Sequence, residues 1–180
     1  MKPTVPMLLR DGFDVLRDIW VRSVLLTVRL TPGRPGNRTM DALRGILLRL
    51  IKIEAGAGSQ ISPGFFAFRA GGVRFGRDCR VGYDFKVWNF SPLVVGDGLL
   101  ASHNVSIICG THLTDAARTN VPGPVSIGNN VWIGANVLIV GPATIGDGAI
   151  LGANSYVTGD IPPHSAFGGS PARALRRGST

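Results

Sequence analysis

Aromatic residues, charged residues and cysteines are all scarce in this 180-residue chain. Aromatic residues make up 7% and charged residues 17%, whereas hydrophobic residues reach 44%. A chain this apolar is not an intrinsically disordered protein, and its core must be filled mainly by aliphatic side chains. The two cysteines, Cys79 and Cys109, form no Cys-x-x-Cys pair. This usage argues against a disulfide scaffold and predicts a reduced compartment.

Long hydrophobic runs are also missing. The most apolar early segment, residues 19–30, is interrupted by Arg22 and Arg29 and is too short to span a bilayer. Three aspartates within the first 18 residues argue against a secretory signal peptide. We therefore predict a cytoplasmic protein, and a peripheral position at the inner membrane face stays open as an alternative.

Positive charge is in excess, mainly near the N-terminus. The formal net charge is +8, and residues 1–60 hold ten Lys and Arg against five Asp and Glu. Such an excess suits nucleic acid, an anionic membrane surface or a phosphorylated ligand. Because no nucleic-acid-binding module accompanies the charge, we expect no nucleic-acid partner.

Two amphipathic helices are predicted in the first third of the chain. Apolar residues recur at steps of three and four over residues 8–30, and a stretch rich in Pro and Gly, residues 31–37, ends that pattern. A second helix is predicted over residues 39–52, with Thr39 or Asp41 as its N-cap. We assign residues 1–58 to a helical N-terminal extension.

After the helices the sequence repeats every six residues. In six successive hexads the first position is aliphatic, the fifth is mostly small or β-branched, and Gly, Asn or Asp often lie between them. The first positions are Ile127, Ile133, Ile139, Ile145, Leu151 and Val157. A weaker run with the same pattern starts at Phe75 and continues, after a slip, at Val95.

The hexads predict a parallel β-helix, a solenoid in which three short strands and their turns close one triangular coil. Equivalent residues then stack 18 positions apart. The expected pairs are Ile127 with Ile145, Ile133 with Leu151, and Ile139 with Val157. An antiparallel sandwich is the weaker alternative because it would not hold register over six hexads. We assign residues 59–166 to the solenoid, residues 109–124 to a loop where the repeat fails, and residues 167–180 to a tail.

The N-terminal helices have two interpretations. They cap the open end of the solenoid, which would otherwise expose apolar core and unpaired strands. Alternatively, residues 1–55 lie on an anionic membrane surface near a lipid-linked acceptor. We favour capping.

The repeat resembles that of the hexapeptide-repeat acyltransferases, in particular the maltose, galactoside and exopolysaccharide O-acetyltransferases. The resemblance covers about residues 60–177. Three motifs carry it: Asn129-Asn130-Val131-Trp132-Ile133-Gly134-Ala135, Gly110-Thr111-His112 before the break, and Asp160-Ile161-Pro162-Pro163 followed by Gly168-Gly169-Ser170-Pro171-Ala172-Arg173. It implies a left-handed coil, acetyl-CoA as co-substrate without a metal, and a homotrimer with active sites between subunits.

His112 is the candidate general base. A hydroxyl that attacks a thioester must lose its proton, and an imidazole, which titrates near neutral pH, suits that task. The resemblance assigns the same role to the histidine of the Gly-Thr-His motif. Asp115 is a candidate for orienting the imidazole, and His103 is a secondary base on the acceptor side. A nucleophilic Cys109 beside His112 is a weak alternative.

The resemblance also implies binding residues. Asn89, Asp84 and Tyr83, together with His103, are the candidates for contacting the acceptor. Backbone amides at Ala135 and Ala153, 18 residues apart, are expected to bind the pantetheine arm of the cofactor. The remaining cofactor candidates are Trp132, Thr158, Arg173 and Arg176, of which the arginines suit phosphates because they present forked donors.

We therefore predict an acetyl-CoA-dependent acetyltransferase of polysaccharide biosynthesis, acting on a hydroxyl of a sugar or polysaccharide precursor. N-acetylation of a nucleotide-linked amino sugar or an antibiotic is the nearest alternative. A zinc hydratase on the same fold is disfavoured because His103, His112 and His164 lack a His-x-x-x-x-His pair. A non-enzymatic scaffold is the remote alternative.

Overall fold

A computed structural model of the chain describes residues 7–31, 37–114 and 116–175, without the side chains of residues 7–14 and 38. Two helices, α1 (Met7–Leu30) and α2 (Arg38–Leu50), precede nineteen short strands in these residues. The strands are β1 (Ile53–Ala55), β2 (Gln60–Ile61), β3 (Phe66–Ala67), β4 (Val73–Phe75), β5 (Arg80–Val81), β6 (Lys86–Trp88), β7 (Leu93–Val95), β8 (Leu100–Ala101), β9 (Ser106–Ile108), β10 (Gly110–His112), β11 (Asn120–Pro122), β12 (Val125–Ile127), β13 (Trp132–Ile133), β14 (Leu138–Val140), β15 (Ala143–Ile145), β16 (Ile150–Leu151), β17 (Tyr156–Thr158), β18 (Ala166–Gly168) and β19 (Arg173–Ala174).

Three parallel sheets form the sides of a solenoid. Sheet A has the order β1-β4-β7-β12-β15, and sheet C has the order β17-β14-β9-β6-β3. Sheet B has the order β19-β18-β16-β13-β8-β5-β2, in which the terminal β19 runs antiparallel. The chain passes from A to B to C in each coil, so the solenoid has an A–B, a B–C and a C–A corner. The predicted class, a left-handed parallel β-helix with an N-terminal helical segment, is confirmed.

The predicted stacking register is confirmed as well. Ile127 pairs with Ile145, Ile133 with Leu151, and Ile139 with Val157. All six side chains are buried in the core. The glycine at the second hexad position has a steric reason: a Cβ added to Gly134 would lie 2.5 Å from the backbone nitrogen of Ala153.

The slip in the early repeat comes from longer coils. Val73 pairs with Leu93, so this coil holds 20 residues, whereas Val125 pairs with Ala143 after 18. The additional residues lie at the C–A corner, where residues 89–92 connect β6 to β7 but only residues 141–142 connect β14 to β15. The loop that breaks the repeat leaves the solenoid at the same corner. The C–A corner is therefore the variable side of the coil.

At the B–C corner each coil turns through a left-handed residue. Asn104, Asn136 and Asn154 have φ angles of 55°, 58° and 60°. Asparagine tolerates this conformation better than most residues. The three side-chain amides also form a ladder, in which Asn104 Nδ2 donates to Asn136 Oδ1 at 2.9 Å and Asn136 Nδ2 donates to Asn154 Oδ1 at 3.0 Å.

The predicted N-cap of the second helix is wrong. Asn37 caps α2, and its side-chain oxygen accepts a hydrogen bond from the backbone nitrogen of Met40 at 3.3 Å. Thr39 lies inside the helix, and Asp41 instead pairs at 2.8 Å with Arg44, whose side chain is fully buried. The helix begins earlier than expected because the Asn37 side chain satisfies one of its first free N–H groups.

The helices cover the N-terminal end of the solenoid. Helix α2 contacts β1 and β2, and α1 contacts β3. Val24 and Val28 of α1 and Leu48 of α2 are buried there. On the opposite side of the helices apolar side chains are exposed, among them Leu16 and Trp20. Within the described residues, neither helix is long and apolar enough to cross a membrane.

Candidate active site

The predicted loop at residues 109–124 contains a β-hairpin at the C–A corner. Strands β10 and β11 pair antiparallel, with His112 opposite Asn120. Below the hairpin turn, the backbone nitrogen of Leu113 donates to the carbonyl of Thr119 at 2.8 Å. The chain leaves the solenoid after β9 and returns to it at β12. A regular pair of strands therefore holds His112 on the rigid coil.

The His112 imidazole is oriented by the backbone. Its Nδ1 lies 2.8 Å from the carbonyl oxygen of Arg118, across the hairpin. A carbonyl oxygen can only accept a hydrogen bond, so Nδ1 carries the proton in the neutral ring. Nε2 is then the nitrogen with a free lone pair. This tautomer is the one a general base needs.

A groove of about 470 Å³ runs beside His112 between the hairpin and sheet C. Trp88, Ile108 and Val140 belong to three adjacent strands of sheet C and supply an apolar side. Its lining is Arg69, Trp88, Phe90, Ile108, Gly110, Thr111, His112, Asn120, Val121, Pro122 and Val140. The groove therefore combines one oriented imidazole with an aromatic and aliphatic surface, as ligand sites commonly do.

Asn89 lies at the C–A corner but faces inward. Its side chain is 5% exposed. Its Oδ1 accepts from the backbone nitrogen of Arg69 at 2.9 Å, and its Nδ2 donates to the carbonyls of Arg69 at 3.0 Å and Gly71 at 2.7 Å. The amide is occupied by the corner of the preceding coil. This arrangement favours a structural role over the acceptor contact predicted for Asn89.

Tyr83, His103, Ala135 and Ala153 lie in a column along the B–C corner. The backbone nitrogens of Asn104, Asn136 and Asn154 donate to the carbonyls of Tyr83, His103 and Ala135, respectively, one coil earlier. Tyr83 and His103 are exposed, as is Asp84, which occupies the left-handed turn position with φ 57°. In one chain this corner and the C–A corner, where His112 lies, are at opposite ends of the strands of sheet C.

The other cofactor candidates lie near the C-terminal end of the coil. Trp132 is 49% exposed on sheet B, between Leu100 and Ile150 of the neighbouring strands. Arg173 is exposed on β19, opposite Gly168. Thr158 ends β17 in sheet C, beside Val140. Asp115 and Arg176 lie outside the described residues.

Cys109 is poorly suited to nucleophilic catalysis. The thiol is fully buried, and burial raises the pKa of Cys109 to about 12. At neutral pH it is protonated, and the protonated thiol is a poor nucleophile. Within residues 7–31, 37–114 and 116–175, no group of three or more His, Cys, Asp or Glu side chains is arranged to hold a metal ion.

Several groups in the groove were not predicted from the sequence. The Arg118 carbonyl orients His112, a role expected of Asp115, because the hairpin register brings a residue six positions away against the ring. Trp88, Phe90 and Arg69 line the groove because the C–A corners of two coils lie beside the hairpin. Aromatic residues flanking these corners, in a chain with few aromatic residues, were the available signal.

A solenoid of six-residue repeats that carries an oriented histidine on a hairpin is shared with known proteins. Residues 124–159 match the family model described as bacterial transferase hexapeptide (six repeats). The galactoside O-acetyltransferase of Escherichia coli K12 is 31% identical over 137 residues, which are 74% of this chain and 68% of that protein. Nodulation protein L of Rhizobium meliloti is 36% identical over 124 residues, covering 67% of this chain and 68% of the relative.

The solved structures give the same result. A hexapeptide-repeat acetyltransferase of Vibrio cholerae, in complex with acetyl coenzyme A, superimposes with a TM-score of 0.81 at 27% identity. The match covers 92% of this chain and 88% of that one. The chain belongs to the hexapeptide-repeat acetyltransferase family and is an acyltransferase.

Proposed function

We propose that this enzyme transfers acetyl from acetyl-CoA directly to a hydroxyl of a sugar or polysaccharide precursor, with His112 as general base. The observation that carries the proposal is the contact between His112 Nδ1 and the Arg118 carbonyl. It leaves Nε2 free to take the hydroxyl proton as the oxygen attacks the thioester carbon. The thiolate of CoA leaves, and the imidazolium supplies the proton that the thiolate takes up.

The cofactor is proposed to bind along the B–C corner. Among the described residues, the backbone N–H groups of Ala135 and Ala153 have no hydrogen-bond acceptor. Two free donors one coil apart suit the amide carbonyls of an extended pantetheine arm. Trp132 is proposed to cover the arm, and Arg173, Arg176 and Thr158 to contact the nucleotide end. Acetyl-CoA is bound in the related Vibrio cholerae structure.

The active site is proposed to form between copies in a homotrimer. His112 and the two free amides lie at opposite ends of the strands of sheet C, so one chain does not complete the site. A second copy placed against sheet C brings its B–C corner to the His112 groove. The outward side of this sheet carries Phe66, 37% exposed, and partly exposed Trp88 and Leu138, which suits an interface. We expect a solution mass of three times the 19.0 kDa chain, measured by light scattering.

The chemistry of the product distinguishes hydroxyl from amine transfer. Purified enzyme is incubated with labelled acetyl-CoA and matched sugars, for example glucose and glucosamine, galactose and galactosamine. Mild alkali releases an O-acetyl ester but leaves an amide intact. We expect an alkali-labile product that His112→Ala does not form. The control is His164→Asn, which replaces a histidine in a left-handed turn by a residue that tolerates that conformation. Amide as the main product would refute the hydroxyl acceptor and favour the N-acetyltransferase alternative.

We also propose that the exposed side of α1 rests on an anionic membrane surface. Leu16, Trp20 and Leu30 are 64%, 53% and 69% exposed, and Arg17, which pairs with Asp18 at 3.7 Å, lies beside Leu16. In a chain with a net charge of +8, an exposed apolar helix face suits an anionic interface. The enzyme is pelleted with vesicles containing anionic lipid or only neutral lipid, and Trp20→Ser is compared. Equal pelleting on both vesicles, or none, would refute this contact.

A further inference from the structure

The groove beside His112 is lined by one positively charged side chain and by no acidic one. Of its eleven lining residues none is acidic, and Arg69 is the one that carries a permanent charge. The side chain of Arg69 is exposed. Among the described residues it has no ion pair, in contrast to Arg74, which pairs with Glu54, and Arg77, which pairs with Asp97. A cation facing a groove without a counterion suits a negatively charged ligand.

The backbone of Arg69 is held on both sides. Its N–H donates to Asn89 Oδ1 at 2.9 Å, and its carbonyl accepts from Asn89 Nδ2 at 3.0 Å. Because Asn89 is buried, this pair of bonds fixes the Arg69 peptide against the next coil. The corner residue therefore has a defined position, although its side chain lies on the surface.

Two aromatic rings lie beside the guanidinium. The Cζ of Arg69 lies 5.8 Å from the ring centroid of Phe68 and 5.5 Å from that of Phe90, and the two centroids are 5.0 Å apart. A cation–π contact needs no hydrogen-bond acceptor, and among the described residues the N–H donors of the Arg69 side chain make no hydrogen bond. Forked donors of this kind match the two oxygens of a carboxylate or phosphate.

We infer that Arg69 binds a negatively charged group of the acceptor, a carboxylate or a phosphate, while His112 in the same groove takes the proton from the acceptor's hydroxyl. The inference rests on the proposed function and narrows its substrate class to acidic or phosphorylated sugars. The phosphates of CoA are the other source of such a group. The acceptor is favoured because Arg69 lines the same groove as His112, where the reacting atoms meet, whereas the pantetheine arm keeps the CoA phosphates away from the thioester.

The test uses matched acceptor pairs that differ only in charge. Initial rates are measured with glucose and glucuronate, galactose and galacturonate, and N-acetylglucosamine with and without a 1-phosphate. We expect the wild-type enzyme to prefer the acidic member of a pair. Arg69→Gln should raise KM for that member about 10–100-fold, the cost of losing a charge-assisted hydrogen bond, with little change for the neutral one. Arg69→Lys, which keeps the charge but loses the fork, should fall between.

The matched control is Arg74→Gln, which removes an exposed arginine from sheet A. Its kinetics should equal those of the wild type. A preference for neutral acceptors, or an equal effect of Arg69→Gln on both members, would overturn the inference and leave the transferase itself intact. A rise in KM for acetyl-CoA alone would assign the charge contact to the cofactor. Absence of transfer to every member of the panel, with CoA release by none, would contradict the proposed function as well.

Discussion

Asn89 offers the sharpest test of how the C–A corner is held. The change Asn89→Ala removes three hydrogen bonds, those to Arg69 N, Arg69 O and Gly71 O, and leaves their backbone partners poorly solvated. At about 0.5–1.5 kcal/mol for each bond, the loss comes to about 1.5–4.5 kcal/mol of the free energy of unfolding. For a chain of this length that is roughly 3–18 °C in Tm. Thermal and urea unfolding at fixed protein concentration measure the change.

The Asn89→Asp variant provides a second arm. A carboxylate keeps the bond from the Arg69 N–H but cannot donate to the two carbonyls, which the Asn89 amide contacts at 3.0 and 2.7 Å. The pKa of this carboxyl should be raised in the folded state, because the protonated acid can donate one bond. The variant should therefore be less destabilised at low pH than at neutral pH. A variant with wild-type stability and a KM effect on the acceptor alone would refute this reasoning and favour the acceptor contact predicted from sequence.

Three further predictions concern stability and the cysteines. Hydrogen bonds from backbone N–H groups lower the pKa of Asp147 and Asp97. Both carboxylates therefore stabilise the fold above the usual aspartate pKa, and this stabilisation is lost as the pH falls below it. Asp147→Asn should flatten the decline of Tm between pH 5 and pH 3. An unchanged decline would contradict this effect. Cys109→Ala should retain acetyl transfer, and loss of turnover in the folded variant would favour the nucleophile interpretation. The two buried thiols should react with a thiol reagent only after unfolding. Ile139→Ala removes a fully buried side chain of sheet C and should cost about 2–5 kcal/mol in urea unfolding, while the exposed Val94→Ala changes little; equal effects would contradict the assigned register.

The solenoid could be predicted from sequence because its signal is local and periodic. Each aliphatic first position is buried by an equivalent aliphatic residue one coil away, so the spacing of Ile127 and Ile145 predicts the register directly. The early coils were less clear because two additional residues at the C–A corner shift the pattern. Their effect on register becomes visible only when Val73 is paired with Leu93.

The details of the site depend on contacts that spacing does not encode. His112 could be selected because the repeat fails around it, but its partner is a backbone carbonyl, and a carbonyl has no residue-type signature. Arg69 and Phe90 come from corners of different coils, and residue types alone did not predict their contact. The N-cap of α2 was missed for a related reason. Asn37, Thr39 and Asp41 can all cap a helix, and the ion pair of Asp41 with the buried Arg44 helps to fix the start of α2.

The central claim is that His112 removes the acceptor proton in the chemical step. Single-turnover transfer from labelled acetyl-CoA to a saturating acceptor, with the dissociation constant of acetyl-CoA measured in parallel, tests it most directly. His112→Ala should lower the single-turnover rate about 10²–10⁴-fold, the usual contribution of a general base, and leave the dissociation constant unchanged. A folded variant that transfers acetyl at the wild-type rate, or one that loses only cofactor affinity, would contradict the claim.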